Sequence, residues 1–305
     1  MPLRLAVATE DFGSSLREAI AEAAKCPVSG IRLNARTEVR AEEFTDTGLR
    51  QLAHYIGEHQ MSVAGLIFPS RSAVYDSENL DRRVAAIRTS MSLLRRLKTS
   101  ELIVRCGRIP DPDDNTASAP ADTPSNENVD SLRNPFSFAP PTPVPPANQP
   151  PANSEIKKFE LLCEIVSDLV RHANHVGCRL QLQVASYDSG RINRLLDHIK
   201  TGPVQIVFDP ATIIMTGGRM SSLFRDHYQQ VGYVRARDAI RDIDGAGVEV
   251  AVGEGLADWP ELIALLSEAH YDGWMCVERT GGDSRADDVR SGLAHICNLI
   301  MQGRH

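Results

Sequence analysis

The chain has 305 residues, of which 42% are hydrophobic and 24% charged, and its formal net charge is −7. A chain of this length and apolar content can bury one large core, and α/β barrels commonly reach this size as a single domain. The acidic balance argues against binding to a nucleic-acid backbone, which usually requires a basic surface.

The N-terminal segment, the lengths of the apolar runs and the cysteines give information on the cellular location. The N-terminal apolar run is short and is followed at once by acidic residues, which is not typical of a signal peptide. No segment has the apolar length of a membrane span. The six cysteines are scattered without a CxxC pair, which indicates reduced thiols. We therefore expect a cytoplasmic protein that does not bind membranes.

Short β-branched runs alternate with longer amphipathic segments, a pattern typical of repeated βα units and a parallel sheet. The predicted strands are 3–9, 30–34, 62–68, 101–106, 179–184, 204–208, 231–235 and 274–277. The predicted helices are 15–25, 41–60, 80–98, 155–175, 191–200, 221–230, 259–269 and 287–301. No GxGxxG follows the first strand and no GxxxxGK[ST] occurs, which counts against an open nucleotide-binding sheet. The eightfold alternation predicts an α/β fold, a single-domain (β/α)8 TIM barrel over residues 1–305.

Residues 109–154 interrupt the alternation after the fourth predicted strand. They contain twelve of the eighteen prolines, so they cannot form a helix or a strand ladder, and we expect a disordered, partly polyproline II insertion. One interpretation is that the insertion is a surface loop without a function of its own. The other is a lid, or a docking arm for a protein partner that uses Phe136 and Phe138, because loops after strands lie on the active face of such a barrel.

The C-terminal third carries a family resemblance. The segments VGYVRARDA (231–239) and VAVGEGLADWPELIALLSEAHYDGWMCVER (250–279) resemble the sugar phosphate isomerases and epimerases, which are xylose isomerase-like TIM barrels. That family has a His-x-Lys-Asp strand, a Gly-Glu-Gly turn, a Trp-opened helix and a Tyr-Asp-Gly-Trp turn before a strand that ends in Glu. The resemblance implies an isomerase or epimerase acting on a small sugar, sugar phosphate or sugar acid.

The resemblance also implies a divalent metal held by a Glu, an Asp, a His and a Glu at four strand ends. Here Gln183 stands in place of the first glutamate and Arg235 in place of the histidine, while Asp209 and Glu278 are retained. A guanidinium has no free lone pair, so the resemblance implies a degenerate metal site. We expect no cofactor; if Mn, Mg, Co or Zn still binds, Asp209 and Glu278 are the remaining ligands.

The charges suggest how such a site would work. Three carboxylates and a divalent metal sum to −1, and so do Asp209, Glu278, neutral Gln183 and cationic Arg235. We hypothesise that Arg235 occupies the place of the metal between Asp209 and Glu278. The candidate catalytic residues are then Glu278 or Asp209 as base and Arg235 as the group that stabilises an enediolate.

Polar residues at strand ends and in the loops after them form the candidate substrate site. The candidate binding residues are Gln183, Arg237, Arg105, Arg279 and Glu254. One interpretation is a site for an anionic, sugar-like ligand, because guanidinium groups bind carboxylates and phosphates through two hydrogen bonds. The other is a set of ion pairs with Asp238, Glu254 and Glu278 that holds the barrel mouth together.

Two functions therefore remain open: an isomerase or epimerase, and a non-catalytic barrel that binds a sugar-like anion or a protein. A third activity that occurs on this fold, metal-dependent cleavage of abasic DNA, requires a histidine-rich metal cluster. It is disfavoured, because none of the nine histidines lies at a predicted strand end and the chain is acidic. A homo-oligomer is a further expectation.

Overall fold

The structure is a computed structural model that describes residues 3–13, 15–113, 153–242 and 247–303. Eight parallel strands close into a barrel in the order β1-β10-β7-β6-β5-β4-β3-β2. They are β1 (Arg4–Ala8), β2 (Gly30–Asn34), β3 (Ser62–Phe68), β4 (Glu101–Gly107), β5 (Arg179–Val184), β6 (Gln205–Phe208), β7 (Val231–Ala236) and β10 (Trp274–Val277). The predicted α/β class, the closed barrel and the single domain are confirmed.

Helices surround the strands and follow them along the chain. They are α1 (Leu16–Ala23), α2 (Asp46–Glu58), α3 (Leu80–Leu94), α4 (Asn153–Val176), α5 (Ser189–His198), α6 (Pro210–Met215), α7 (Met220–His227), α8 (Trp259–Glu268) and α9 (Arg285–Gln302). A short 3-10 helix, Thr9–Asp11, follows β1. Within the described ranges, none of the helices is both long and apolar enough to cross a membrane.

Several helices begin at a side chain that accepts a hydrogen bond from the first turn. Ser15 caps α1, Thr45 caps α2 and Asp188 caps α5 in this way. Such caps satisfy backbone N–H groups that have no partner within the helix. They fix where each helix starts after its strand, and so they fix the loops that form the mouth of the barrel.

Two elements lie where the sequence pattern predicted none. Helix α6 follows β6 directly, and an antiparallel hairpin of β8 (Asp238–Arg241) and β9 (Gly247–Val250) follows β7. Both are too short to show a clear hydrophobic period. The predicted insertion at 109–154 falls mostly on residues 114–152, which lie outside the described residues, so its disorder remains a prediction.

Apolar side chains fill the middle of the barrel, and polar ones occupy its two ends. The middle layer consists of Ala6, Ala8, Ala64, Ile67, Ile103, Val207, Tyr233, Trp274 and Cys276. At the amino end, buried Glu101 accepts a hydrogen bond from Gln181 at 2.7 Å and pairs with Arg179. The carboxyl end of the barrel is far more highly charged.

Candidate functional site

The strand alternation directs charged side chains into the mouth at the carboxyl end. Successive residues of a strand point to opposite faces, so residues two apart share a face. On β7, Tyr233 lies in the barrel interior, and Arg235 therefore points into the mouth. On β10, Cys276 lies in the interior and Glu278 follows it into the mouth.

Glu278 is enclosed by two guanidinium groups. Its Oε2 accepts a hydrogen bond from Arg32 Nη2 at 2.7 Å, and its Oε1 accepts one from Arg235 Nε. Burial alone would raise the pKa of Glu278, but the charges of Arg235 and Arg32 outweigh it and lower the pKa to about 2. A carboxylate with this pKa is a poor proton acceptor at neutral pH.

Asp209 is fully buried and faces Arg235 and Arg237. Its Oδ1 accepts the backbone N–H of Thr212 at 3.2 Å, which caps helix α6. Its Oδ2 accepts a hydrogen bond from Arg237 Nη2 at 2.8 Å and lies 3.5 Å from Arg235 Nη1. Arg235 therefore lies between Asp209 and Glu278, where the charge count from the sequence predicted it.

We call Arg32, Asp209, Arg235, Arg237 and Glu278 the paired wall. The hairpin adds one more carboxylate, Glu249 of β9, to the ion pairs of the paired wall. Glu249 was not among the candidate residues from the sequence. Glu249 Oε2 lies 2.9 Å from Arg237 Nη1, and its Oε1 lies 3.5 Å from Arg279 Nη1. The charges of Arg237 and Arg279 are thus balanced within the protein.

Of the three carboxylates expected to form ion pairs at the mouth, Glu278 does so, whereas Asp238 and Glu254 do not pair with these arginines in the described structure. Buried Asp238 accepts hydrogen bonds from the backbone N–H groups of Gly253 and Ala257 and from Trp259 Nε1, at 3.0, 3.1 and 2.8 Å. It therefore shapes the Gly-Glu-Gly turn and the start of α8. Glu254 is exposed on that turn, and the structure does not place it among the cavity-lining residues.

Arg105 and Gln183 form what we call the open wall. They are register partners on the adjacent strands β4 and β5. Arg105 is exposed to the mouth, and its Nη1 donates a long hydrogen bond of 3.4 Å to the carbonyl oxygen of Ser70. The open wall thus presents a guanidinium and an amide to the space between the two walls.

Between the walls lies a cavity of about 540 Å³. Its described lining residues are Glu10, Asp11, Arg32, Asn34, Ile67, Pro69, Arg105, Gln183, Val184, Ala185, Thr212, Met215, Thr216, Arg235, Arg237, Glu278, Arg279, Thr280 and Arg285. All the predicted site residues line it except Asp209, which is fully buried, and Glu254. A volume of this size suits a small polar molecule.

Arg32 and Asp11 are among the lining residues that were not predicted from the sequence. Arg32 lies on β2, two residues before Asn34, and strand alternation could have placed it in the mouth. Asp11 lies in the short helix after β1; it accepts the Arg279 backbone N–H at 3.1 Å and lies 3.5 Å from Arg285 Nη1. Burial raises the pKa of Asp11 to about 7, only partly offset by the Arg279 hydrogen bond and nearby arginine charges.

A family model described as "Xylose isomerase-like TIM barrel" matches residues 20–299. The chain belongs to this family. The expected family membership is therefore confirmed, while substrate and activity are not fixed by it, because one fold serves many functions.

Solved structures of other xylose isomerase-like barrels superpose over nearly the whole chain. A xylose isomerase domain protein from Planctomyces limnophilus has a TM-score of 0.74 and 16% identity, covering 99% of this chain and 98% of its own. A 3-keto-D-glucoside 4-epimerase from E. coli has a TM-score of 0.69 and 14% identity, covering 97% and 99%. At these identities the likeness shows the fold alone.

A curated relative, an inosose dehydratase from Salmonella agona, is 24% identical over 48% of this chain. The chain spans 56% of the length of that relative. A further family structure, from Mycobacterium smegmatis, contains magnesium and superposes with a TM-score of 0.67 at 14% identity, covering 99% of this chain and 97% of its own.

The donor atoms in this xylose isomerase-like barrel do not fit a divalent cation. Both oxygens of Glu278 and one oxygen of Asp209 face guanidinium groups, and Arg235 itself supplies no lone pair. Across the described residues, no group of three or more His, Cys, Asp or Glu side chains is arranged to hold a metal ion. We therefore derive no chemistry through a metal.

Proposed function

We propose that the cavity binds a small sugar, sugar phosphate or sugar acid and catalyses an isomerase- or epimerase-type proton transfer without a metal. The observation that carries the proposal is Arg235, ion-paired with both Asp209 and Glu278 at the strand ends. The similarity to an inosose dehydratase and to a 3-keto-D-glucoside 4-epimerase supports a sugar-like substrate.

In the proposed reaction a proton leaves the carbon next to a carbonyl group. The electron pair of the broken C–H bond forms a carbon–carbon double bond while the π pair of the carbonyl group moves onto its oxygen, which gives an enediolate whose negative charge the guanidinium of Arg235 stabilises. Return of a proton to the former carbonyl carbon, with transfer of the hydroxyl proton from its oxygen to the former carbonyl oxygen, gives the isomer. Return of a proton to the opposite face of the original carbon gives the epimer. Asp209 and Glu278 hold Arg235 in position.

The proton acceptor in this proposal is Asp11 rather than Glu278. The charges of Arg235 and Arg32 outweigh the effect of burial on Glu278 and lower its pKa to about 2. Burial raises the pKa of Asp11 to about 7. A base works best when its pKa is near the working pH. Oδ1 of Asp11 has a charge contact with Arg285 at 3.5 Å, longer than a hydrogen bond, and so remains able to accept a proton.

The enclosure of Glu278 and Asp209 also favours a second candidate function. A barrel whose two retained carboxylates are bound by arginines would bind a sugar-like anion without turning it over. For this second function the mouth of the barrel is a preformed binding site, and Asp11 forms a hydrogen bond with the ligand without removing a proton from it.

Hydrogen exchange separates the two functions. EDTA-treated protein is incubated in D₂O with a panel of ketoses and sugar acids, and loss of C–H signals is followed by proton NMR. We expect exchange that EDTA does not reduce, and its loss in Asp11→Asn, which keeps its fold. Exchange that requires added Mn²⁺ contradicts the metal-free proposal, and binding without exchange supports the second function.

The remaining expectations concern location and partners. A cytoplasmic location, a homo-oligomer and a protein partner bound through residues 109–154 remain predictions from the sequence.

A further inference from the structure

The charges of the cavity-lining arginines are unevenly balanced. Six arginines line the cavity: Arg32, Arg105, Arg235, Arg237, Arg279 and Arg285. Five of them have a carboxylate at ion-pair distance: Arg32, Arg235, Arg237, Arg279 and Arg285. Arg105 has no carboxylate partner in the part of the chain that the structure describes. Its exposed guanidinium is therefore open to solvent ions or to an anionic ligand.

The position of Arg105 makes it available to a ligand. Ile103, two residues earlier on β4, lies in the barrel interior, so Arg105 points into the mouth above it. Its contact with the carbonyl oxygen of Ser70 uses one of five N–H groups. Gln183 beside it is half-buried, and its side-chain amide has no hydrogen-bond partner among the described residues. Together they offer donors to a planar or tetrahedral oxyanion.

The far side of the cavity carries carboxylates that lie within ion-pair distance of arginines: Glu10 is 3.2 Å from Arg32, and Asp11 is 3.5 Å from Arg285. Glu10 and Asp11 follow β1, which lies four strands from β5 around the eight-stranded ring. These carboxylates can accept hydrogen bonds from hydroxyl groups, and their charges are balanced by the neighbouring arginines. The cavity is therefore polarised, with its unbalanced positive charge on the open wall.

We propose that Arg105 and Gln183 bind an oxyanion of the ligand, so that the substrate is a sugar acid or a sugar phosphate and not a neutral sugar. This inference rests on the proposed function and selects among its substrates. The shared chemistry is a carboxylate or phosphate monoester at one end of a polyhydroxylated chain, with the hydroxyl end towards Glu10 and Asp11.

Two matched ligand pairs test the inference by isothermal titration calorimetry with the full chain. D-Gluconate and D-glucitol differ only in a carboxylate, and D-fructose 6-phosphate and D-fructose differ only in a phosphate. We expect the charged member of one pair to bind at least about 10-fold more tightly, as one charge-assisted contact allows. The pair with the larger difference identifies the anion.

Variants assign the effect to Arg105. Arg105→Gln removes the preference for the charged member, and Arg105→Lys retains part of it because the charge remains without the paired N–H groups. Arg71→Gln is the control, since Arg71 is an exposed arginine on the neighbouring loop outside the cavity, and it leaves the preference unchanged.

The outcomes separate this inference from the proposed function. If neutral members bind as tightly as charged ones and Arg105→Gln changes nothing, the anion inference is overturned and the proposed function stands. If no sugar of either pair binds or exchanges protons, both are overturned.

Discussion

On the paired wall of the barrel mouth, Arg235 is held between Asp209 and Glu278, whereas on the open wall Arg105 contacts a backbone carbonyl. Both side chains are arginines at the ends of barrel strands and both line the same cavity. Their surroundings differ: Arg235 is buried, and Arg105 is exposed.

Because of this difference in ion pairing, the two walls differ in the electrostatic attraction that they offer to an anion. Charges that are paired inside the protein fix geometry and stabilise charge that develops nearby, but they leave little net attraction for an incoming anion. An exposed, unpaired guanidinium provides that attraction. Four arginines near strand ends are candidates from the sequence, and their contacts separate the ion-paired ones, Arg235, Arg237 and Arg279, from Arg105.

The largest expected effect comes from opening the paired wall. Arg235→Ala leaves Asp209 and Glu278 buried with fewer partners, and breaking a buried ion pair typically costs about 3–5 kcal/mol of the free energy of unfolding. Urea denaturation monitored by circular dichroism measures the loss. A loss below about 1 kcal/mol would show that the two carboxylates do not depend on Arg235.

Asp11 gives a pH-dependent effect of intermediate size. Burial raises its pKa from 3.8 to about 7, so its contribution to stability is fully present below pH 3.8 and is lost as the pH rises through about 7. Asp11→Asn removes the buried charge and should raise the free energy of unfolding at pH 8.5 by roughly 2–4 kcal/mol.

The groups that face Asp11 set the size of this effect. Glu278 adds to the rise in its pKa, while the Arg279 N–H, Arg32 and Arg285 oppose it. The stability difference between Asp11→Asn and the unmodified protein should shrink towards pH 4, whereas exposed Asp283→Asn should show no such trend. A variant less stable than the unmodified protein at pH 8.5 would mean that Asp11 is ionised and stabilised by Arg285.

Glu249→Gln should convert part of the paired wall into an open one. It removes the carboxylate that Arg237 and Arg279 share, at a cost of about 1 kcal/mol in stability. Two guanidinium groups then face the cavity less fully balanced, and D-gluconate should bind about 3- to 10-fold more tightly in calorimetry.

Glu254→Gln is the matched control for this change. Glu254 is exposed and lies outside the described cavity lining, so its removal should leave D-gluconate binding unchanged. An equal rise in both variants would show a general loss of negative charge and not a local effect on the mouth.

The smallest effect is expected on the open wall. Because Arg105 is exposed and has no carboxylate partner within the described residues, Arg105→Gln should change the free energy of unfolding by less than about 0.5 kcal/mol. Thermal unfolding of Arg105→Gln and of Arg235→Ala, each compared with the unmodified protein, measures the difference between the two stability losses. A loss comparable with that of Arg235→Ala would mean that Arg105 is structural.

Much of the fold could be predicted from the sequence because hydrophobic period and turn residues are local signals. Strands 30–34, 62–68, 179–184 and 274–277 have the predicted bounds. The hairpin and α6 were missed because each is too short to establish a period. Family resemblance and charge counting together placed Arg235 between Asp209 and Glu278.

The partners of the remaining arginines could not be predicted. Glu249 belongs to the missed hairpin, so its contacts with Arg237 and Arg279 had no signal in the sequence. One of the two interpretations of the sequence made Asp238 an ion-pair partner, but its oxygens accept hydrogen bonds from backbone N–H groups and Trp259. Which carboxylate meets which arginine depends on loop geometry, which residue types alone do not determine.

The most direct test of the central claim, that Arg235 takes the place of a metal, is a Mn²⁺ titration followed by electron paramagnetic resonance. The unmodified, EDTA-treated protein should leave the signal of free Mn²⁺ undiminished, whereas Gln183→Glu combined with Arg235→His should remove about one equivalent. One equivalent of Mn²⁺ bound by the unmodified protein, and lost in Asp209→Asn, would contradict the claim.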